Sequence, residues 1–231
     1  MMIVSHKYRF IFIKTVKTAG TSIEVFLSQI CSSDDIVTPI WPHVGNHRAR
    51  NYKGIWNPFN EIVNNEEQRI VETFKNLLQR KRFYNHMSAS LVKHRLSAKI
   101  WDSYFKFCVE RNPWDKTLSH YHMISDRSGG IVSFDDYIEK GRFCINLPKY
   151  TDPEGRLLVD KVIKYETLMD DLGLIFCKLG VPYNGSLGVN AKSEYRKKKE
   201  PYQKLFTRQQ RYIVEKAFAK EIEMHGYVFD Q

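Results

Sequence analysis

Two short segments of the chain carry side chains suited to holding an anion. The first, Lys17-Thr18-Ala19-Gly20-Thr21-Ser22, lies between an apolar run and a helical pattern. A glycine turn before a helix leaves backbone N–H groups free to face an anion, and the helix N-terminus adds a partial positive charge. Lys17 adds a full charge, so the segment suits a phosphate or phosphosulfate group. On spacing alone, a capped helix with a solvated lysine explains the segment equally well.

The second segment, Arg111-Asn112-Pro113-Trp114-Asp115-Lys116-Thr117-Leu118-Ser119, follows another apolar run. An arginine can bind a phosphate through two N–H groups at once, and a hydroxyl can complete the contact. Ser119 comes eight residues after Arg111, about two turns inside the helix that this segment begins. Taken alone, an ion pair of Arg111 with Glu110 or Asp115 is the simpler interpretation.

Three apolar runs predict buried strands that position these segments: Tyr8–Ile13, Phe105–Val109 and Lys161–Lys164. A helical pattern follows each run, beginning near Thr21 after the first and near Trp114 after the second. Strands that alternate with helices predict an α/β fold, with a parallel sheet flanked by helices on both faces. Ligands of such sheets bind beyond the carboxyl ends of the strands, where both anion-binding segments are expected.

The remaining pattern predicts a helix from Asn65 to about Arg82 and a last helix after Thr207. One face of the first of these helices carries Ile70, Phe74 and Leu77. Residues 34–60 show no clear period, which predicts a long irregular segment of the functional kind. No repeat or linker divides residues 1–231, so a single domain is expected.

Charge and composition narrow the class of protein. Lys and Arg number 36 against 26 acidic residues, a formal charge of +10 that favours an anionic partner such as a nucleotide, an acidic glycan, nucleic acid or a membrane surface. No apolar stretch approaches the roughly 20 residues that a transmembrane helix needs. Four widely spaced cysteines favour reduced thiols in the core, and a cytoplasmic location is the corresponding expectation. The eight histidines include no HExxH pair, so no metal site is predicted.

Together, the two segments resemble those of the sulfotransferase family that uses 3′-phosphoadenosine 5′-phosphosulfate (PAPS). IFIKTVKTAGTSIE is similar to the family's 5′-phosphosulfate loop, usually PKTGGTS after an apolar strand, with Val16 in place of the proline and Ala19 in place of the first glycine. FKFCVERNPWDKTLSHYH is similar to the 3′-phosphate element, in which Arg111 and Ser119 match the phosphate-binding arginine and serine. The later segments YTDPEGRLLVDKVIKYETLMDDLGLIFCKLGVP and PYQKLFTRQQRYIVEKAFAKEIEMHGYVF resemble the glycan-sulfotransferase-like branch, in a soluble member of bacterial or phage type.

This resemblance implies a P-loop-like α/β fold, PAPS as sulfuryl donor, PAP as product, a hydroxyl acceptor and no required metal. It assigns Lys17 to catalysis and to nucleotide binding. The other implied nucleotide contacts are Thr18, Ala19, Gly20, Thr21, Ser22, Arg111 and Ser119. A late basic loop often covers the 3′-phosphate in the family, which makes Arg196 and Lys197 candidates, although solvated surface is the slightly better explanation of this basic run.

The resemblance also suggests a general base. Several glycan sulfotransferases place a histidine between the two nucleotide elements, and His86 occupies that position here. An imidazole that titrates near neutrality suits proton abstraction from a hydroxyl. A histidine that caps a helix or bonds within the core is the alternative interpretation. His120, His122 and Glu24 are competing candidates.

The acceptor is expected to be a carbohydrate, including an acidic glycan, while a lipid or small metabolite stays open. Its predicted binding residues lie in the long irregular segment: Trp41, His43, His47, Arg48, Arg50 and Trp56. Two other functions compete. A nucleotide kinase is disfavoured because Thr15 and Thr21 stand where the P-loop pattern requires glycine and lysine. A nucleic-acid-binding protein is disfavoured because no reader module is recognisable.

Overall fold

The computed structural model describes residues 2–63, 67–188 and 200–230. Its centre is a five-stranded sheet in the order β3-β1-β2-β4-β5. The strands are β1 (Met2–Ser5), β2 (Phe10–Ile13), β3 (Ile36–Val37), β4 (Phe105–Glu110) and β5 (Lys161–Lys164). The described helices are α1 (Gly20–Ile30), α2 (Phe59–Val63), α3 (Glu67–Leu78), α4 (Ala89–Arg95), α5 (Ala98–Ser103), α6 (Pro113–Arg127), α7 (Phe134–Glu139), α8 (Leu168–Leu179), α9 (Arg208–Ala217) and α10 (Ala219–His225).

The sheet is parallel only at the strands that the sequence predicted. β2 pairs with β4 and β4 pairs with β5 in parallel, with Ile13 opposite Cys108. β1 and β3 add two antiparallel pairings, so the complete sheet is mixed. The expected strand from Tyr8 begins at Phe10 instead, because the chain reverses direction before it, with Arg9 in the left-handed region at φ 54°. This turn makes β1 and β2 a hairpin, which the sequence analysis missed.

Helices cover both faces of the sheet, as predicted. On one face, α1 and α8 pack on a cluster that includes Phe12 and Phe107, both at most 1% exposed. On the other, α4 and α5 pack on Ile11 and Cys108, both fully buried. A third apolar cluster joins α6, α7 and α9 beside the sheet. The protein is therefore a single α/β domain built on a mixed sheet.

The predicted helices after β2, β4 and β5 are confirmed as α1, α6 and α8. Asn112 caps α6, accepting hydrogen bonds from the backbone N–H groups of Trp114 (3.1 Å) and Asp115 (3.4 Å). A capping box at Thr207 begins α9, and each such cap contributes about 1 kcal/mol. Gly180 ends α8 in the left-handed region at φ 67°, where a glycine carries no Cβ penalty.

The helix α3 differs from its prediction in which side chains it buries. Thr73 and Asn76 are 2% and 3% exposed, whereas Phe74 is 50% exposed. The face predicted to be apolar is therefore not the face that packs inward, because α3 turns polar side chains toward a cavity. The helix also ends at Leu78, earlier than expected. Asn65, its predicted first cap, lies outside the described residues.

Residues 34–60 are largely irregular, as predicted, apart from β3 and the start of α2. The four cysteines are free thiols, of which Cys108 and Cys144 are buried, Cys31 is half-buried and Cys177 is exposed. Among the described helices, none combines the length and apolar character needed to span a bilayer. No group of three or more His, Cys, Asp or Glu side chains in the described parts of the chain is placed to hold a metal ion.

Candidate functional site

The two predicted anion-binding segments meet at one edge of the sheet. β2 and β4 are neighbouring parallel strands, so the loop after Ile13 and the turn after Glu110 leave the sheet side by side. The contact between them is direct: Nη1 of Arg111 donates a hydrogen bond to the main-chain oxygen of Lys17 at 3.2 Å. Residues 94 positions apart in sequence thus form one surface.

The backbone of the first loop is shaped to face an anion. Lys17 and Ala19 adopt left-handed conformations at φ 64° and φ 56°, whereas Thr18 between them does not. Alternation of this kind is typical of backbone nests, in which successive N–H groups face one side, so the loop is a candidate nest for an anion. Ala19 is also the N-cap of α1 and makes no side-chain capping bond, so the helix N-terminus adds its partial positive charge at the same place.

Each left-handed non-glycine residue costs on the order of 1 kcal/mol, so neighbouring groups must hold the loop in place. Asn146 supplies two hydrogen bonds to Val16, from its Nδ2 to the main-chain oxygen (3.0 Å) and from the main-chain N–H to its Oδ1 (2.9 Å). The hydroxyl of Thr15 bonds to the main-chain oxygen of Val109 and lies 2.7 Å from the hydroxyl of Thr18. The loop is therefore fixed on both sides before any ligand binds.

Gly20 is required by the path of a buried lysine. The side chain of Lys14 crosses Gly20 so closely that a Cβ there would lie 2.7 Å from Cγ of Lys14. Beyond this crossing, Nζ of Lys14 reaches Oε2 of Glu24 (2.7 Å) and Oγ1 of Thr21 (3.1 Å). Burial raises the pKa of Glu24, and the charge of Lys14 opposes this rise. Lys14 thus stabilises the first turn of α1 through its contacts with Thr21 and Glu24.

The hydroxyl groups of the loop have partners within the protein. Thr18 and Thr21 are 1% and 8% exposed, and the bonds described above engage both hydroxyls. Ser22 is 5% exposed. In this conformation the groups presented to an anion are the backbone N–H groups and the half-buried Lys17. The predicted contacts of the three hydroxyls with a nucleotide stay predictions.

Arg111 makes the ion pair with Asp115 that the sequence left open. Its Nε and Nη2 donate to Oδ2 of Asp115 at 2.8 and 2.6 Å, and its guanidinium lies 4.2 Å from the ring centre of Tyr165. These contacts hold the guanidinium against the loop. Ser119 is half-buried one turn beyond Asp115, on the same face of α6.

The buried carboxylate of Glu110 supports the turn and pairs with Lys116 rather than with the Arg111 guanidinium that the sequence suggested. Oε1 of Glu110 accepts hydrogen bonds from Nζ of Lys116 (2.7 Å) and from the main-chain N–H of Arg111 (2.9 Å). It also accepts from Nδ2 of Asn146 at 3.3 Å, and Oε2 accepts from the hydroxyl of Tyr150 at 3.1 Å. Glu110 and Asn146 therefore couple the turn to the loop. The available signal was a glutamate at the end of a buried strand, six residues before a lysine.

His86 lies close to the start of the loop. Its Nδ1 is buried with no hydrogen-bond partner among the described residues. Burial lowers the pKa of His86 to about 2, and the charges of Lys14 and Lys149 act in the same direction. The expectation that this imidazole titrates near neutrality is therefore wrong, because the ring stays neutral across the physiological range.

The competing candidates are placed differently. Nδ1 of His120 lies 2.7 Å from the hydroxyl of Tyr137, and burial lowers the pKa of His120 to about 4, assisted by the charge of Lys17. His122 is half-buried farther along α6. Glu24 is fully buried against Lys14. His120 is thus near the charge of Lys17, but one of its ring nitrogens is already hydrogen-bonded to Tyr137.

The residues predicted to bind the acceptor do not form one surface. Trp56 and His47 are 7% and 1% exposed, and His47 bonds to the main-chain oxygen of Thr38 at 3.0 Å. The guanidinium of Arg50 donates hydrogen bonds to main-chain oxygens at the end of α1 and just after it. Trp41 is exposed, as are His43 and Arg48. Arg196 and Lys197 lie outside the described residues.

A cavity of about 250 Å³ opens beside His86 and supplies a second component of the site. It lies between α2, α3, α4 and the segment that contains Lys149, and no sequence pattern predicted it. Nζ of Lys149 donates to the main-chain oxygen of His86 at 3.0 Å. The cavity and the anion-binding loop thus lie on either side of one histidine.

No protein-family profile matches the chain. A crystal structure of a sulfotransferase from Alicyclobacillus acidocaldarius aligns with 94% of this chain and 95% of its own, at a TM-score of 0.39 and 19% identity. A protein of Archaeoglobus fulgidus, described as an uncharacterized protein, is 33% identical over 119 residues, which make up 48% of this chain and 98% of the archaeal protein. At that identity over almost the whole archaeal sequence, the chain belongs to the same family as this A. fulgidus protein.

Proposed function

We propose that the protein is a PAPS-dependent sulfotransferase that acts on a hydroxyl group of a carbohydrate. The observation that carries this proposal is the contact between Arg111 and Lys17, which joins an anion-binding nest to an arginine at one sheet edge. Two anion-binding elements that meet at one sheet edge suit a nucleotide with phosphate groups at both its 5′ and 3′ positions. The resemblance of both segments to the two PAPS elements supports the same assignment.

PAPS supplies the sulfuryl group, whose bond to the 5′-phosphate oxygen breaks as the bond to the acceptor oxygen forms, leaving PAP. The nest and the N-terminus of α1 hold the 5′ end, since their N–H groups and partial charge face an anion. Lys17 stabilises the negative charge that develops there. Arg111 and Ser119 hold the 3′-phosphate, and Asp115 orients the guanidinium for this role.

His86 accepts the proton of the acceptor hydroxyl at Nδ1. This nitrogen makes no hydrogen bond among the described residues, and the low pKa keeps the imidazole neutral, so the ring has an electron pair for the proton. A pKa near 2 makes a weak base in the ligand-free protein. Anionic groups bound at the neighbouring loop favour the protonated ring and so raise its pKa.

The nucleotide assignment is tested by thermal unfolding with PAP, ATP and a single-stranded oligonucleotide. PAP should stabilise the protein by about 2.7 kcal/mol at 100 times its dissociation constant. ATP, which lacks the 3′-phosphate, should give a much smaller shift, and the oligonucleotide none. Equal shifts with ATP and PAP would favour a nucleotide kinase, and a shift with the oligonucleotide alone would favour a nucleic-acid-binding protein.

The catalytic assignment is tested with radiolabelled PAPS and a panel of sugars. His86→Ala should lower turnover by about 10²–10⁴-fold while PAP still binds. Gln79→Ala, at an exposed residue outside the cavity lining, is the control and should leave turnover unchanged. Normal turnover in His86→Ala would assign the proton to another group.

A further inference from the structure

The cavity beside His86 is lined by two residues whose buried polar atoms have no hydrogen-bond partner among the described residues. Asn76 is 3% exposed, and its Nδ2 has no hydrogen-bond partner among the described residues. The same holds for Nδ1 of His86, and both residues line the cavity. A buried polar group without a partner costs about 1–3 kcal/mol. Two such atoms in one cavity wall indicate a ligand that supplies the missing hydrogen bonds.

The charges of the cavity balance. Arg95 and Glu61 form an ion pair inside the wall, with Nη2 to Oε1 at 2.5 Å and Nε to Oε2 at 2.9 Å, and both side chains are 1% exposed. Lys149 and the exposed Glu72 line the cavity with opposite charges. A strongly anionic or cationic ligand would meet one of them unfavourably, so the cavity suits a neutral ligand.

Size and lining restrict the ligand further. At about 250 Å³ the cavity is slightly smaller than the roughly 300–1,000 Å³ of drug-sized sites, which limits it to about one ring. Leu91, Ile145 and Pro148 form apolar parts of the wall, opposite the polar groups. A sugar ring has this character, with a C–H face and a rim of hydroxyls. A purely apolar ring would leave the polar atoms without partners, which is costly.

The cavity is also joined to the anion-binding loop. Asn146, which holds Val16 through two hydrogen bonds, belongs to the same segment as Ile145 and Lys149 of the cavity wall. Lys149 in turn bonds to the main chain of His86. A ligand in the cavity therefore lies next to His86 and against the segment whose Asn146 holds the loop.

We propose that this cavity binds one neutral sugar ring, with Asn76 and Glu72 as polar contacts and one hydroxyl directed to His86. Its role as the acceptor site rests on the proposed function, whereas sugar binding itself does not. Asn76 donates a hydrogen bond to a ring hydroxyl, and the carboxylate of Glu72 accepts one from another. These contacts distinguish a sugar from a phenol or a sterol, which lack hydroxyls around the ring.

Saturation-transfer NMR with methyl glycosides tests the cavity without the transfer reaction. The probes are methyl glucoside, methyl galactoside, methyl glucuronide and cyclohexanol, each added to the protein of residues 1–231 in the presence of PAP. At least one neutral glycoside should bind, whereas cyclohexanol and the charged glucuronide should bind much more weakly. Preference for cyclohexanol or for the glucuronide would overturn the assignment to a neutral sugar.

Asn76→Leu should weaken binding of that glycoside about tenfold, since one buried hydrogen bond is lost. Glu72→Gln provides a second variant at an exposed position, where folding is not at risk, and should weaken binding severalfold. Gln79→Leu, an amide replaced just beyond the end of α3 and outside the cavity lining, is the matched control. Unchanged glycoside binding in both cavity variants would overturn the proposal.

Thermal shifts with PAP, measured on the same samples, separate this inference from the proposed function. A PAP shift in all variants, with glycoside binding lost only in the cavity variants, supports both. Glycoside binding without any PAP shift would overturn the nucleotide assignment and leave the sugar site standing. A PAP shift in a protein that binds none of the glycosides would overturn the sugar site alone.

Discussion

Nη1 of Arg111 donates a hydrogen bond to the main-chain oxygen of Lys17 at 3.2 Å, and Asp115 holds the other side of the same guanidinium. The residue proposed to bind one end of the nucleotide therefore also supports the loop proposed to bind the other end. A change at Arg111 should consequently affect loop stability as well as affinity, whereas a change at Lys17 should act at the reacting end. The Arg111 variant is thus expected to lose nucleotide affinity and loop stability, and the Lys17 variant to lose turnover.

Arg111→Ala should weaken PAP binding by about 1.5–3 kcal/mol, the usual cost of losing a hydrogen bond to a charged group. Lys17→Ala should retain most of the PAP affinity but reduce turnover strongly, since its charge meets the group that departs. Calorimetry with PAP and single-turnover assays with PAPS measure the two effects. Arg156→Ala is the control, because Arg156 is an exposed arginine in an i, i+4 pair with Asp152. Unchanged PAP affinity in Arg111→Ala would remove the 3′-phosphate assignment.

Gly20→Ala should destabilise the protein and disturb the loop, because the added methyl group would lie 2.7 Å from Cγ of Lys14. Moving that side chain breaks a buried ion pair with Glu24, and loss of such a pair typically costs about 3–5 kcal/mol. Gly173→Ala is the matched control inside α8, where the new Cβ would make only an ordinary contact, 3.8 Å from Tyr183. That control should be neutral or stabilising by about 0.5–1 kcal/mol. Urea unfolding compares the two variants, and equal stabilities would contradict the role given to Lys14.

Lys116→Met should destabilise the turn after β4, since it leaves the fully buried carboxylate of Glu110 without its cation. Breaking a buried pair from one side costs about 3–5 kcal/mol. Glu110→Gln with Lys116→Met removes both charges and should recover part of this loss. A double-mutant cycle by chemical denaturation gives the coupling. If the changes in unfolding free energy of the two single variants added up to that of the double variant, Glu110 and Lys116 would not be energetically coupled.

The sequence predicted the parts of the fold that depend on local pattern. β4 and β5 have apolar and β-branched residues at their centres and are each followed by a helical pattern, and their predicted bounds agree with the structure to within one residue. β1 was missed because Met2–Ser5 is short and its pairing with β2 depends on the reversal at Arg9. Turn conformations of this kind depend on contacts that no local pattern reveals.

The sequence predicted where the loop of the candidate site lies, but not the directions and partners of its side chains. A glycine turn before a helix identified the loop, but the inward direction of Thr18 depends on Thr15 and on a neighbouring strand. The link between Asn146 and Val16 spans 130 positions, and no sequence signal pointed to it. The protonation state of His86 follows from burial, which a single sequence does not show.

Stability should fall as the pH drops below about 6.5, because several histidines are held neutral in the folded state. Burial lowers the pKa of His86 to about 2 and that of His120 to about 4, and it also lowers the pKa values of His47, His94 and His225. Above pH 6.5 these groups are neutral in both states, so their contribution is fully present. Below it, the unfolded chain binds protons that the folded protein does not, and stability decreases by up to about 1.4 kcal/mol per pH unit for each histidine.

His86→Gln should reduce this slope, because glutamine does not titrate. Urea unfolding at pH 7, 6 and 5 measures the free energy of unfolding, and the loss between pH 7 and 5 should be about 1–2 kcal/mol smaller in the variant. Gln79→Asn exchanges one exposed side chain that does not titrate for another and should keep the wild-type slope. The raised pKa values of Glu24 and Glu221 act in the opposite direction but are common to all three proteins. If His86→Gln and wild type lost the same free energy over this range, His86 would not be held neutral by the fold, and its assignment as a free-base proton acceptor would fail.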